Sequence, residues 1–178
     1  MLKTKKLVFS ALCVAMGLAL PLAFHAVPDA GKVFLPMHIP VLICGLVCGA
    51  PFGAICGVLT PALSSLLTGM PVAAMLPGMI VELGVYGLTA GIMMRVCRTG
   101  RPIINIYISL VTAMLCGRVV AGVLNALLFR AGDYSLQIWL TASFATALPG
   151  IVIQLLFLPS MVFALQKARV LPEQTASA

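Results

Sequence analysis

The chain has 178 residues, of which 62% are hydrophobic and only 8% are charged. A soluble domain carries about 25% charged residues, so this composition excludes a soluble domain and a disordered chain, and it predicts a protein embedded in lipid. The formal net charge is +7, but the basic residues stand in short clusters between apolar runs, which is typical of membrane topology and not of nucleic-acid binding.

Six apolar runs follow one another, and a helix needs about 20 residues to span the hydrocarbon. They cover residues 7–24, a short stretch from 39 that turns near 49–51, then 52–67, 72–94, 103–129 and 136–165. The first run has a signal peptide as its alternative interpretation, because lysines precede it. The second is tilted, or it forms a hairpin inside the membrane. We predict an all-α fold, with a single six-helix membrane domain over residues 1–178.

The distribution of basic residues predicts the orientation of the chain. With the N-terminus inside, eight basic residues lie on the inner side and two, Lys32 and Arg130, lie in outer loops beside an aspartate each. Such an excess marks the cytoplasmic side, so both termini are predicted to be cytoplasmic. The inner set is Lys3, Lys5, Lys6, Arg95, Arg98, Arg101, Lys167 and Arg169.

Small residues recur at four-residue spacing, which places them in stripes along helices. Small side chains let helix backbones approach closely, and packing is what associates helices in lipid. The stripes therefore predict a compact bundle, or, for the stripe on the first helix, contact with a different protein. They are Ala11, Ala15 and Ala19; Gly45, Gly49, Gly53 and Gly57; Gly87 and Gly91; and Ala113, Gly117 and Ala121.

The cysteine pattern indicates packing and not chemistry. Five of the six cysteines lie inside apolar runs, where a cysteine usually acts as a small packing residue. None has a metal-binding spacing with a histidine. We predict no disulfide, no metal site and no cofactor.

Two charged residues, Glu82 and Arg118, stand inside apolar runs. Each costs about 2.5–3.5 kcal/mol at the bilayer centre unless it is satisfied. At about 1.5 Å per helical residue, both lie roughly 15–16 Å below the outer surface, so an ion pair between the fourth and fifth runs is available. The pair either pins two helices or lines a cavity for a polar ligand. Tyr86 and Asn125 share their helical faces and extend that polar surface.

The outer edge of the bundle carries further polar and aromatic residues. His38 lies at the mouth of the predicted bundle, just ahead of Pro40, which suits a first helical turn. We expect His38 to be either solvated or a ligand contact. Tyr134 and Trp139 fall near the outer interface, where aromatic residues anchor helices, and stacking on a ligand ring is the alternative.

The sequence offers no catalytic constellation. Paired acids, an HExxH motif and a phosphate-binding loop are absent from it, and such motifs carry the common chemistries of hydrolysis and nucleotide use. Ser64 and Ser65 have no histidine at membrane depth to activate them. We predict that the chain is not an enzyme and that it does not hydrolyse ATP itself.

Five blocks of sequence occur in order along the chain and, with the six-helix layout, cover nearly all of it. They are ALCVAMGLA at 11–19, FLPMHIPVLICGLVCGAPFGAICG at 34–57, LLTGMP at 66–71, VELGVYGLTAG at 81–91 and LCGRVVAGV at 115–123. This ordered set resembles the substrate-binding S components of energy-coupling factor (ECF) vitamin transporters, in the pantothenate-type and uncharacterised branch.

The resemblance implies a bacterial cell-membrane protein that captures a vitamin or vitamin precursor from outside, beneath a lid at residues 27–38. It implies a transmembrane coupling subunit and two cytoplasmic ATPase subunits as partners, and an S component that topples in the membrane to release its cargo inside. Ala11, Ala15 and Ala19 would form the docking face. The implied pocket candidates are His38, Glu82, Tyr86, Arg118 and Asn125.

The ligand does not follow from the resemblance, because pockets in this family are diverse. If Arg118 is not neutralised, an anion such as pantothenate fits; if Glu82 cancels it, a neutral or cationic heterocycle fits equally well. On the sequence alone, the buried cation at Arg118 favours a carboxylate ligand. The alternative function is a stand-alone secondary carrier or channel. That function needs a polar stripe through the whole membrane, and the inner half offers mainly Thr89 and Gln154.

Overall fold

The computed structural model describes residues 3–23, 33–129 and 135–167, and within these ranges it contains helices and no strand. The all-α prediction is thereby confirmed. A π-helical segment, Asn125–Phe129, extends α5, and a second, Thr141–Thr146, separates α6 from α7. The α-helices are α1 (Lys3–Ala23), α2 (His38–Cys48), α3 (Ala50–Thr68), α4 (Leu76–Val96), α5 (Pro102–Leu124), α6 (Leu136–Leu140) and α7 (Leu148–Lys167).

Among the described residues, five helices are long and apolar enough to cross a membrane. Residues 136–165, expected to form one span, are divided between α6, a π-helical segment and α7. The second run forms the 11-residue α2, which is about 16 Å long and thus roughly half the hydrocarbon thickness. Six spans and two cytoplasmic termini stay predictions. The five helices are Lys3–Ala23, Ala50–Thr68, Leu76–Val96, Pro102–Leu128 and Leu148–Leu165.

The short helix α2 lies at the centre of the bundle. It packs against α1, α3, α4, α5 and α7, and 10 of its 11 residues are buried. A helix that is apolar on all sides is stable only when it is surrounded. The chain reverses into α3 at Gly49, whose φ of 95° is a conformation that glycine adopts without a steric penalty.

Glycines let three of the helices approach one another closely. Gly45 of α2 and Gly53 of α3 approach each other, as the glycine stripe predicts. Both also meet the backbone of Gly87 on α4, so that a Cβ atom at any of the three positions would overlap a neighbouring backbone. The glycine stripe predicted close packing of helices in a compact bundle, but it did not identify α4 as the shared partner of α2 and α3. This three-helix contact brings α2 next to the polar residues of α4.

Helix α1 turns one face into the bundle and leaves the opposite face uncovered. Cys13 and Gly17 are buried, and α1 packs against α2 and α3. Ala11, Ala15 and Ala19 lie on the other side and are exposed. The alanine stripe is therefore not used for packing within the described part of the chain.

Two buried cysteines of α2 contact the neighbouring helix α1. All six are free thiols. The thiol of Cys44 donates to the Ser10 hydroxyl oxygen at 3.4 Å, and that of Cys48 donates to the Lys6 carbonyl oxygen at 3.7 Å. These contacts join α2 to α1.

Candidate functional site

Glu82, in the first half of α4, is the centre of a polar cluster in an otherwise apolar bundle. Its Oε1 atom accepts a hydrogen bond from the Tyr86 hydroxyl at 3.1 Å. The same oxygen lies 3.8 Å from Nε2 of His38 and 4.0 Å from Nε of Arg118. Helices α2, α4 and α5 thus direct side chains at one carboxylate oxygen. We call these four residues the Glu82 cluster, and all four are among the five pocket candidates that the sequence indicated.

Arg118 is held in the cluster by aromatic rings as well as by the carboxylate. Its side chain is 3% exposed. The guanidinium carbon lies 5.9 Å from the centre of the Tyr86 ring and 5.6 Å from that of Phe144, within the range in which a cation is attracted to an aromatic face. Its Nη2 atom has no hydrogen-bond partner. A bound molecule with an acceptor group would supply that missing partner.

His38 enters the cluster from the first residue of α2. Its backbone N–H donates to the Leu35 carbonyl oxygen at 3.0 Å, which fixes the start of the helix. The imidazole lies edge-on to the Tyr86 ring, with ring centres 5.4 Å apart. The side chain is 4% exposed, and neither ring nitrogen has a hydrogen-bond partner. The alternative of a solvated interfacial histidine is therefore wrong.

Trp139 contacts the cluster through the backbone of Arg118. Its indole N–H donates to the Arg118 carbonyl oxygen at 3.1 Å, and its ring fills the space beside Gly122, where a side chain would overlap it. The sequence analysis expected an interfacial anchor or a ligand contact at Trp139, and it did not predict this hydrogen bond. Tyr134, for which the same role was predicted, lies outside the described residues.

Phe144 is a site residue that the sequence analysis missed. It lies five residues after Trp139, and the two rings are edge to face with centres 5.6 Å apart. In an α-helix, residues five apart point in different directions. The π-helical segment Thr141–Thr146 changes this spacing, because its hydrogen bonds run from residue i to i+5. The α-helical period therefore does not predict that Trp139 and Phe144 are neighbours.

Asn125 borders the cluster and is not part of it. Its side-chain amide packs directly against Gly78, one turn before Glu82 on α4. It is partly buried, and among the described residues its side chain makes no hydrogen bond or ion pair with the other pocket candidates. Of the predicted lid, residues 27–32 lie outside the described ranges.

In the Glu82 cluster, opposite charges pair with each other, while several hydrogen-bonding atoms have no partner. One carboxylate, Glu82, faces one guanidinium, Arg118, so this ion pair has a formal charge of zero. Glu82 is the most accessible of the four side chains at 25%, whereas those of His38 and Arg118 are 4% and 3% exposed. The arrangement can therefore donate hydrogen bonds to a ligand through Arg118 and His38 and accept them through Glu82.

The comparisons with known proteins give one match. A family model described as "ECF transporter, substrate-specific component" matches residues 5–164. The members of this family are substrate-binding subunits of transporters and not enzymes. With five apolar helices long enough to cross a membrane, the match shows a multi-pass protein of the cell membrane. No curated protein and no solved structure matches the chain.

Proposed function

Because the chain belongs to the family of substrate-specific components of ECF transporters, we propose that its Glu82 cluster captures a vitamin or vitamin precursor. The observation that supports this most directly is the convergence of three polar side chains from three helices on Oε1 of Glu82, of which only Tyr86 donates a hydrogen bond, while Arg118 Nη2 and both His38 nitrogens stay unpaired. A buried polar group without a partner costs about 1–3 kcal/mol. A ligand that supplies those partners recovers this cost.

The depth of the cluster supports capture from the outer side. Glu82 lies six residues after Leu76, the first residue of α4, and Arg118 lies eleven residues before Phe129, the last residue of the π-helical segment that extends α5. At about 1.5 Å per residue, the two are about 9 Å and about 16 Å from those helix ends, and both are farther from the opposite ends of their helices. Under the proposed orientation with both termini cytoplasmic, these ends face outward. A ligand entering from outside therefore has the shorter path to the cluster.

The charge of the cluster bears on which ligand it holds. The pair between Glu82 and Arg118 cancels the positive charge that an anionic ligand needs. A carboxylate such as pantothenate would have to compete with Glu82 for Arg118, whereas an uncharged heterocycle leaves the pair intact. We therefore favour an uncharged ligand, and membership of the pantothenate-type branch is the competing hypothesis.

We further propose that α1 docks on a transmembrane coupling subunit that two cytoplasmic ATPases drive. The support is the exposed stripe of Ala11, Ala15 and Ala19, because helices in lipid associate closely through small residues. The buried side of α1 already packs on α2 and α3. One face of α1 thus stabilises the bundle and the other is free for a partner.

Mass spectrometry of small molecules that copurify with the detergent-solubilised protein tests ligand capture. We expect the unaltered chain to retain a vitamin-like molecule and the variant Glu82→Gln to lose most of it. Val119→Ala, at a position on α5 that is 47% exposed, is the matched control and retains the ligand. Retention by Glu82→Gln at the level of the unaltered chain would contradict the assignment of the site.

Uptake into liposomes distinguishes a substrate-binding subunit from the alternative, a stand-alone carrier. We expect the chain alone not to accumulate the retained molecule, because the side chains packed inward of the cluster, such as Leu46, Ala90 and Leu110, are apolar and buried. Accumulation without any ATPase would favour the carrier instead.

A further inference from the structure

Gln154 is a buried polar side chain that the Glu82 cluster does not include. It lies six residues after the first residue of α7 and is 0% exposed. Under the proposed orientation this position is near the outer end of α7, and not in the inner half of the membrane, where the sequence analysis placed it. Both atoms of its amide group, Nε2 and Oε1, lack a hydrogen-bond partner. Buried side-chain amides almost always have partners, so two unpaired atoms on one residue require an explanation.

The position of Gln154 directs it toward the helices that form the cluster. The buried face of α7 packs against α2 and α5, which carry His38 and Arg118. Gly150, on the same face, lies against the backbone of residues 33–34, just ahead of α2. Gln154 follows Gly150 by four residues and therefore lies one turn further along the same face. The buried members of this face are Gly150, Gln154, Leu158 and Val162.

The geometry points to Gln154 as a further ligand-binding residue, which pairs with an amide-like edge of an uncharged ligand. This inference rests on the proposed function of the Glu82 cluster. A side-chain amide presents a donor next to an acceptor. A ligand with an N–H beside a C=O, as in a lactam, a ureide or a pyrimidinone, satisfies both atoms at once. A carboxylate accepts from Nε2 but meets Oε1 with a second acceptor, so one atom stays unpaired.

Ser109 also has a buried side-chain atom without a partner, but this residue does not belong to the site. Ser109 of α5 is 0% exposed and its Oγ atom has no partner. It lies nine residues before Arg118 along the same helix, which corresponds to about 13–14 Å. Gln154 instead belongs to a helix that packs against both α2 and α5, which carry His38 and Arg118.

The test compares the unaltered chain with Gln154→Met, which keeps the volume but removes both polar atoms. The first measurement is the melting temperature of the ligand-free protein in detergent. Because Gln154 is unpaired without ligand, we expect Gln154→Met to raise this temperature by about 2–4 °C. A lower melting temperature would show that Gln154 stabilises the empty bundle, through a bound water or a protein partner, and would overturn the inference.

The second measurement is the amount and identity of the copurified small molecule. We expect Gln154→Met to retain about 10- to 100-fold less of it, as the loss of two hydrogen bonds implies. Gln154→Leu serves as a second variant, should the first not fold. Ser160→Ala, on the exposed side of α7, is the matched control. The retained molecule is expected to be uncharged and to carry an N–H beside a C=O.

The outcomes separate this inference from the proposed function. Retention of the ligand by both Gln154 variants, with loss in Glu82→Gln, overturns the role of Gln154 and leaves the cluster in place. A retained carboxylate without an amide edge overturns the ligand class. If the unaltered chain retains no molecule, the proposed function fails, and the role of Gln154 fails with it.

Discussion

Gly117 of α5 lies directly against the ring of Tyr86 on α4, in space that a side chain at position 117 would occupy. Tyr86 is fully buried, and its hydroxyl is the donor nearest to Oε1 of Glu82. The glycine therefore acts on the ligand site indirectly, by leaving room for the tyrosine ring between α4 and α5. The small-residue stripe that contains Gly117 serves the polar cluster as well as helix packing.

The variant Gly117→Ala is expected to displace the Tyr86 ring and to weaken both the bundle and ligand retention. Inserting a methyl group into a packed core costs about 1–3 kcal/mol. The measurement is thermal unfolding in detergent, combined with mass spectrometry of the retained molecule. Gly84→Ala is the control, because a Cβ there meets only the Val58 Cγ2 atom at 3.4 Å. Equal stability of the two variants would disprove the packing role of Gly117.

The ion pair between Glu82 and Arg118 is expected to show coupling in a double-mutant cycle. Glu82→Gln leaves the Arg118 charge buried without its counter-charge, so we expect a loss of about 3 kcal/mol in the free energy of unfolding. Adding Arg118→Met removes the uncompensated charge and should recover part of that loss. Unfolding of the single and double variants measures the coupling. Strictly additive effects would show that the two groups do not interact.

The variant Ala15→Leu is expected to prevent docking while leaving the ligand site intact. Overpacking a close helix contact costs about 1–3 kcal/mol, and 1.4 kcal/mol is a tenfold change in affinity. The measurement is copurification with the coupling subunit and the ATPases. Ile55→Phe, at an exposed position of α3, is the control enlargement. If Ala15→Leu assembles normally, the alanine stripe is not the docking face.

The orientation of the chain is testable through a natural thiol. Cys97 is partly exposed and follows α4 directly, whereas Cys116 is exposed on the side of α5, where lipid excludes a water-soluble reagent. We expect a membrane-impermeant maleimide to label the protein only after the cells are opened. Cys97→Ser should abolish that labelling. Labelling of Cys97 on intact cells would reverse the proposed topology, and the outward-facing site with it.

The charged centre of the site could be predicted from sequence because Glu82 and Arg118 each stand alone in an apolar run. Counting residues from the run ends placed them at one depth, and the structure brings them within 4.0 Å of each other. Tyr86 followed from helical periodicity. These residues are polar and lie within apolar membrane segments. Because an unpaired polar group is costly in lipid, such residues are expected to contact one another.

Other features could not be predicted, because apolar residues look alike whether they face lipid or protein. The hydropathy of α2 does not show that this helix is the buried centre of the bundle. Hydropathy also does not separate α6 from α7, which appear as one apolar run. Phe144 was hidden by the change of helical period. The glycine stripe indicated close packing but not which helix packs against it. Small residues show that a close approach is possible, and they do not identify the neighbouring helix.

The length of α2 has a consequence for how the protein is made. An 11-residue helix offers too little apolar length to be retained in the bilayer as an independent segment. Its insertion therefore depends on helices that leave the ribosome later, above all α4, whose Gly87 closes against Gly45 and Gly53. During synthesis the nascent chain must hold an incomplete bundle until α4 has emerged, and the site at the start of α2 is among the last parts to mature.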